Sequence, residues 1–96
     1  MFAIYFEWRV KDGAEHEFER LWSDGTTTLR LEGSLGSALF KSGAGRYHGF
    51  ARWPDRTTRD AIFTPDFRPD IFGPFAECID EMLVREEMEL VEDQWL

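Results

Sequence analysis

The chain is short, aromatic and acidic: it has 96 residues, of which 43% are apolar and 16% aromatic, and its formal net charge is −8. This length predicts one domain spanning residues 1–96, and the apolar fraction excludes a disordered chain. Because nucleic acids and anionic membranes attract basic proteins, the negative charge argues against both as partners.

Cysteine use and hydropathy indicate the compartment. The chain has one cysteine, Cys78, so it can form neither an internal disulfide nor a cysteine-based metal site. The apolar run over residues 1–6 ends at Glu7 and is too short for a signal peptide. No segment approaches the roughly 20 apolar residues of a transmembrane helix. We therefore expect a cytoplasmic protein without a membrane anchor.

The first third of the chain predicts a strand and then a helix. Residues 2–10 are rich in aromatic and β-branched types, which predicts a strand. Alternation places Phe2, Ile4, Phe6, Trp8 and Val10 on one face, and the other face, with Ala3, Tyr5, Glu7 and Arg9, is half polar. Apolar residues then recur every three or four positions, which predicts an amphipathic helix with its N-cap at Asp12 and its end at about Glu32. Gly25 lies on the buried stripe, where a small residue would allow close approach to the sheet.

The rest of the chain predicts three strands and two helical segments. Strands over residues 35–42 and 46–53 are joined by a Gly-Ala-Gly hairpin loop. Asp55 is the predicted cap of a short helix that ends at Phe63. A further helix is predicted over residues 73–83 and a final strand over 84–91.

This element order predicts an α+β fold. Strand, helix, strand, strand, helix, strand with right-handed crossovers makes a ferredoxin-like βαββαβ sandwich, whose helices cover one face of an antiparallel sheet. The other face carries aromatic residues as well, among them Phe50 beside His48 on the third strand. Because a monomer would leave that face in water, we expect a homodimer in which two sheets pack face to face.

Four segments resemble the antibiotic biosynthesis monooxygenase family, also called the dimeric α+β barrel group. They are YFEWRVKDGAEHEFERLW, LEGSLGSALFKS, GRYHGFARWPDR and, at the last strand, MELVEDQ. The resemblance implies a dimeric α+β barrel with a pocket between sheet and helices. It also implies a cofactor-independent reaction in which an electron-rich aromatic substrate is oxidised by molecular oxygen inside a dry cavity.

The chain departs from the family pattern at the positions that carry chemistry. It contains no Asn, whereas the quinone-forming and haem-degrading members resemble each other in using one. The strand position four residues before Trp53 is Gly49, and Asp66 stands where several relatives have a His after Pro. Trp53 itself matches the strand-end Trp of the family.

Five residues are candidates for a site. His48 is the candidate catalytic residue, because an imidazole can act as a general base near neutral pH. Trp53, Trp22, Tyr5 and Asp66 are the candidate residues of a substrate pocket. Each also has a purely structural interpretation: core packing for the tryptophans and the tyrosine, a half-buried strand position for the histidine, and a turn for the aspartate.

The function predicted from the sequence is a cofactor-independent monooxygenase acting on a small aromatic or quinol substrate. We expect no cofactor and no metal, because the sequence has no phosphate loop, no dinucleotide fingerprint and no H-x-x-x-H pair. The alternative is a non-catalytic dimeric domain that binds a ligand or serves a structural role, which the missing Asn and Asp66 favour. Haem degradation is disfavoured for want of an Asn and of a suitably placed His.

Overall fold

The structure, a computed structural model, describes residues 1–94. Its elements are β1 (Phe2–Val10), α1 (Glu15–Leu31), β2 (Gly36–Gly43), β3 (Arg46–Trp53), α2 (Arg56–Ile62), α3 (Pro69–Glu77) and β4 (Ile79–Glu89). The four strands form one antiparallel sheet in the order β2-β3-β1-β4. This confirms the predicted α+β, ferredoxin-like arrangement. No helix among the described residues has the length and apolar character needed to cross a membrane.

The start of α1 differs from the prediction. The helix begins at Glu15 after an N-cap at Ala14, and no side chain caps it. The amide of Ala14 donates to the carbonyl of Lys11 at 3.0 Å, and Gly13 turns the chain with a φ of 81°. Asp12 therefore lies inside this turn, two residues before the N-cap, and the prediction that it caps the helix is wrong.

The cap of α2 is confirmed. The Asp55 carboxylate accepts a hydrogen bond from the Thr58 amide at 2.7 Å, which satisfies one of the free amides of the first turn. This bond is also the main reason that the pKa of Asp55 is lowered, because it favours the ionised form. A short helix of seven residues is thus fixed directly after β3.

The boundary between α3 and β4 corrects the predicted helix over residues 73–83. α3 ends at Glu77, and Ile79 already begins β4. Register shifts in the β1–β4 ladder pair Val10 with Ile79 and Trp8 with Met82. Because of these bulges, Ile79 and Met82 lie on the same face of the sheet although they are three residues apart. A spacing of three residues is also typical of one face of a helix, which explains the wrong prediction.

The core lies between the helices and one face of the sheet. Two clusters of buried side chains from β1, β3, α1 and the C-cap of α3 form it. They are Trp8, Val10, Phe18, Leu21, Tyr47 and Cys78 in one, and Phe2, Ile4 and Trp53 in the other. All three side chains of the second cluster come from β1 and β3, so it joins two neighbouring strands.

Two glycines make room for aromatic rings. A Cβ atom on Gly49 would lie 2.6 Å from Cη2 of Trp8, so the indole ring of Trp8 occupies the space beside β3 at this position. A Cβ atom on Gly25 would lie 3.1 Å from Cε1 of Phe72 on α3. Gly25 therefore allows α1 to approach α3 rather than the sheet.

Replacing Gly49 with alanine should destabilise the protein. The added methyl group meets the indole of Trp8, which neighbouring rings hold in place, and we expect a loss of about 1–3 kcal/mol in the free energy of unfolding. Urea unfolding measures it. Gly43→Ala is the control, because no atom lies within 4 Å of its added Cβ. Equal stability of the two variants would contradict the role assigned to Gly49.

Candidate functional site

An apolar cavity of about 310 Å³ lies between the sheet and the helices. Strands β1, β3 and β4 supply residues to one side of it, and α1 and α3 supply residues to the other. The aromatic side chains that line it are Phe6, Trp8, Trp22, Trp53, Phe63, Phe72 and Phe75; Phe50 also borders it, but strand alternation places its side chain on the opposite face of the sheet. This volume is at the lower end of the range for small-molecule sites, and the aromatic lining suits a planar ligand.

The rings along β1 hold each other in fixed orientations. Phe6 and Trp8 stack with their centroids 5.0 Å apart and their planes 11° from parallel. Phe75 of α3 meets Trp8 edge to face at 5.9 Å, and Phe18 of α1 meets it at 5.5 Å. Trp8 is consequently packed on several sides and forms a rigid part of the cavity wall.

The charged groups of the cavity lining are cationic. Arg59 of α2 and Arg85 of β4 line it, and no carboxylate or imidazole does so among residues 1–94. Arg59 donates to Asp60 at 3.0 Å and its guanidinium lies 5.4 Å from the ring centroid of Phe63. Arg85 donates to Glu87 at 3.1 Å. The lining can therefore attract an electron-rich or anionic ligand, but it contains no evident base.

Two of the five candidate residues line the cavity. Trp53 ends β3 and is 2% exposed, and Trp22 lies in the middle of α1 and is half-buried. Trp53 also packs in the core with Phe2 and Ile4. The pocket interpretation and the packing interpretation of Trp53 are thus compatible, because one face of a large ring can serve the core while another part meets the cavity.

The other three candidates lie elsewhere. Asp66 is exposed in the loop between α2 and α3, and neither His48 nor Tyr5 is among the cavity-lining residues. His48 and Trp53 are five residues apart on β3, so strand alternation places them on opposite faces of the sheet. The expectation that they share one pocket is therefore not met.

His48 and Tyr5 instead belong to a hydrogen-bonded network on the helix-free face of the sheet. The Tyr5 hydroxyl lies 2.8 Å from both Glu7 Oε1 and His48 Nδ1, and His48 Nε2 lies 2.7 Å from the Ser42 hydroxyl. Since Tyr5 donates to Glu7, the bond directions assign the neutral imidazole its Nδ1–H tautomer, with Ser42 donating to Nε2. Arg46 donates to the second oxygen of Glu7 at 2.7 Å.

The network shifts the acidity of its members. The hydrogen bond from Tyr5, followed by the one from Arg46, holds the pKa of Glu7 below its ordinary value of 4.5. The same bond to Glu7 raises the pKa of the Tyr5 hydroxyl. Across residues 1–94, no three or more His, Cys, Asp or Glu side chains are placed to hold a metal ion. The network consists of hydrogen bonds between side chains of one chain.

Most of the cavity-lining residues were not among the candidates from the sequence, and Trp8, Arg59 and Arg85 are three of them. The alternation along β1 placed Trp8 on the more apolar face, but only the pairing of β1 with β3 shows that its ring lies beside Gly49. An aromatic residue next to a cross-strand glycine is a usable signal once the pairing is known. The two arginines lie on α2 and β4, and nothing in their spacing connects them.

Solved structures share this fold. SnoaB, a cofactor-independent oxygenase from Streptomyces nogalater, has a TM-score of 0.80 at 18% identity, covering 97% of this chain and 95% of that one. A proposed antibiotic biosynthesis monooxygenase from Caulobacter crescentus has a TM-score of 0.82 at 17% identity, covering 95% of this chain and 90% of that one. Rv0793 from Mycobacterium tuberculosis has 0.77 at 17%, covering 97% of both chains.

The similarity is structural. No protein-family model matches the chain, and the curated proteins contain no significant match. Identities this low establish a shared fold and leave the reaction open. The chain therefore has the fold of structures named antibiotic biosynthesis monooxygenases, which confirms at the level of the fold the resemblance seen in its sequence.

The network around Glu7 has a pH signature. A carboxyl group whose pKa is lowered by folding stabilises the protein above its ordinary pKa, and this contribution is lost as the pH falls through the folded-state pKa. We therefore expect the free energy of unfolding to fall more steeply below pH 4.5 in the wild type than in Glu7→Gln. Urea unfolding at a series of pH values measures both curves, and parallel curves would contradict the assignment.

Proposed function

We propose that the protein binds a small planar aromatic molecule in the cavity between sheet and helices and oxidises it with molecular oxygen without a bound cofactor. The aromatic-lined cavity of about 310 Å³ is the observation that supports binding. The fold shared with SnoaB, which is described as a cofactor-independent oxygenase, supports the reaction type. An electron-rich substrate supplies the electrons in such a reaction, so the protein needs to bind, orient and ionise it.

The cationic lining gives the protein a way to favour the ionised substrate. Arg59 and Arg85 would stabilise the anion that forms when an anthrone or a quinol loses a proton. Because no carboxylate or imidazole among residues 1–94 lines the cavity, the proton would pass to water rather than to a side chain. In this proposal His48, on the opposite face of the sheet, takes no part in the chemistry of the cavity.

A second candidate function is a non-catalytic dimeric domain that binds an aromatic ligand. The specific observation that favours it is the position of His48. Its ring bonds to Tyr5 and Ser42 on the helix-free face, so the one strand histidine is unavailable as a base in the cavity. Both candidates use the same cavity, and turnover distinguishes them.

We also propose that a second copy of the chain covers the helix-free face. Phe40 of β2 is 61% exposed on this face and Phe50 of β3 is 37% exposed there. The two residues lie on neighbouring, paired strands. Val84 and Met88 of β4 are partly exposed on the same face. Packing two such faces together would remove these side chains from water and enclose the network around His48.

Oxygen consumption tests the reaction. One molecule of anthrone and one of oxygen give one molecule of anthraquinone and one of water. We expect oxygen uptake above the protein-free rate with anthrones or naphthoquinols. Ala51→Leu, which adds bulk to the cavity wall, should lower the rate by about tenfold or more. Ala61→Leu on the exposed side of α2 is the control. Absence of uptake by a folded protein that still binds the aromatic would favour the second candidate.

Light scattering tests the dimer. At micromolar concentration we expect the mass of two chains for the wild type and of one chain for Phe40→Glu. The substitution would bury one carboxylate from each chain in the apolar interface, and burying an unpaired charge is costly. Leu31→Glu is the matched control: Leu31 is 83% exposed at the end of α1, and its substitution should leave the dimer intact. A wild-type monomer would overturn the proposal.

A further inference from the structure

Two exposed aromatic rings lie next to His48 on the helix-free face of the sheet. Phe40 of β2 is the direct cross-strand partner of His48. Phe50 lies two residues further along β3 and is the partner of Tyr5. A surface that covers both rings therefore also reaches the imidazole. The single chain leaves 19% of the His48 side chain exposed, and the second copy proposed above would cover it.

While His48 is neutral, the network around it is complete and carries no net charge. The Nδ1–H group donates to the Tyr5 hydroxyl, that hydroxyl donates to Glu7, and the Ser42 hydroxyl donates to Nε2. Arg46 balances the charge of Glu7 at 2.7 Å. The hydrogen bonds from Tyr5 and Arg46 hold the pKa of Glu7 below its ordinary value, so its carboxylate stays ionised where imidazoles titrate.

The charged groups around this network do not offset a further cation. Further charged residues that share the helix-free face lie beyond the network: Arg9, Arg52, Glu81 and Glu86. Arg9 and Glu81 bond to each other at 2.6 Å, and β1 separates Glu86 of β4 from β3. Lys41 of β2 faces the helices, where it pairs with Glu15 of α1 at 3.1 Å. The acidic and basic groups named on the helix-free face are equal in number, so no surplus carboxylate remains there.

Protonation adds a positive charge to this balanced network. The carboxylate of Glu7, 3.6 Å from His48 Nδ1, attracts that charge, but it is already paired with Arg46 and lies equally near in the separated chain and in the dimer. In the separated chain water solvates the exposed part of the imidazolium. In the dimer apolar residues of the second copy would face it, and a second imidazolium would lie in the same interface. The dimer therefore binds the proton less tightly than the separated chain.

We propose that protonation of His48 dissociates the dimer, so that the chain is dimeric at neutral pH and separates in mild acid. Because the separated chains bind more protons than the dimer does, lowering the pH favours the separated chains. Histidine is the side chain that ordinarily changes its charge between about pH 5 and 8, so the transition lies in that range. The inference rests on the proposed face-to-face dimer and adds the condition under which it forms.

The two histidines of the chain provide a matched pair of variants. His48→Gln keeps a hydrogen-bonding side chain that stays neutral, whereas His16→Gln removes the exposed histidine of α1. Sedimentation equilibrium gives the dimer dissociation constant at about pH 7.5 and about pH 5.5. We expect this constant to rise about tenfold or more in the wild type and in His16→Gln, and less than about threefold in His48→Gln.

The outcomes separate the pH dependence from the dimer itself. A wild type that is monomeric at both pH values would overturn the face-to-face dimer and the role of His48 with it. A wild-type dissociation constant that does not change with pH would leave the dimer standing and overturn the role of His48. The same pH dependence in His48→Gln as in the wild type, or its loss in His16→Gln, would also contradict that role.

Calorimetry of the wild type covers the case in which His48→Gln does not fold. Diluting the dimer at about pH 6.5 in buffers of different ionisation enthalpy measures the protons taken up on dissociation. We expect uptake of about one proton per dimer, because each of the two released imidazoles becomes partly protonated. Dissociation without proton uptake would overturn the inference.

Discussion

The alternation of side chains along β1 is the constraint on which the rest of the structure depends. β1 pairs with β3 on one side and with β4 on the other, so its two faces define the two faces of the sheet. Phe6 and Trp8 face the helices and form the wall of the cavity, whereas Tyr5 and Glu7 face away and form the network with His48. A shift of one residue in the pairing would exchange the apolar wall and the polar network.

The contact between Trp8 and Gly49 joins the fold to the proposed function. The missing side chain at Gly49 lets a large indole lie beside β3, and the rings of Phe6 and Phe75 then fix it. An aromatic wall held this firmly can position a planar ligand without rearranging, which lowers the entropic cost of binding. The same packing leaves the indole N–H of Trp8 buried without a hydrogen-bond partner among residues 1–94.

The helices and strands were predicted correctly where local sequence signals were strong, and wrongly where strand pairing determined the secondary structure. β1 and β3 have the predicted bounds, because aromatic residues recur in both strands and clear turn residues follow them. The helix predicted over residues 73–83 was wrong in its second half. Ile79 and Met82 have helical spacing, and only the bulged ladder with β1 turns that spacing into one strand face.

The sequence by itself determined the α+β class, the order of the strands along the chain, and which face of β1 is the more apolar, because these follow from periodicity over neighbouring residues. The tertiary structure decided which side chains meet. His48 and Trp53 are close in sequence yet lie on opposite faces, and Trp8, Arg59 and Arg85 are distant in sequence yet line one cavity. Sites form from contacts between elements, and those contacts depend on register, bulges and helix packing, which no local pattern specifies.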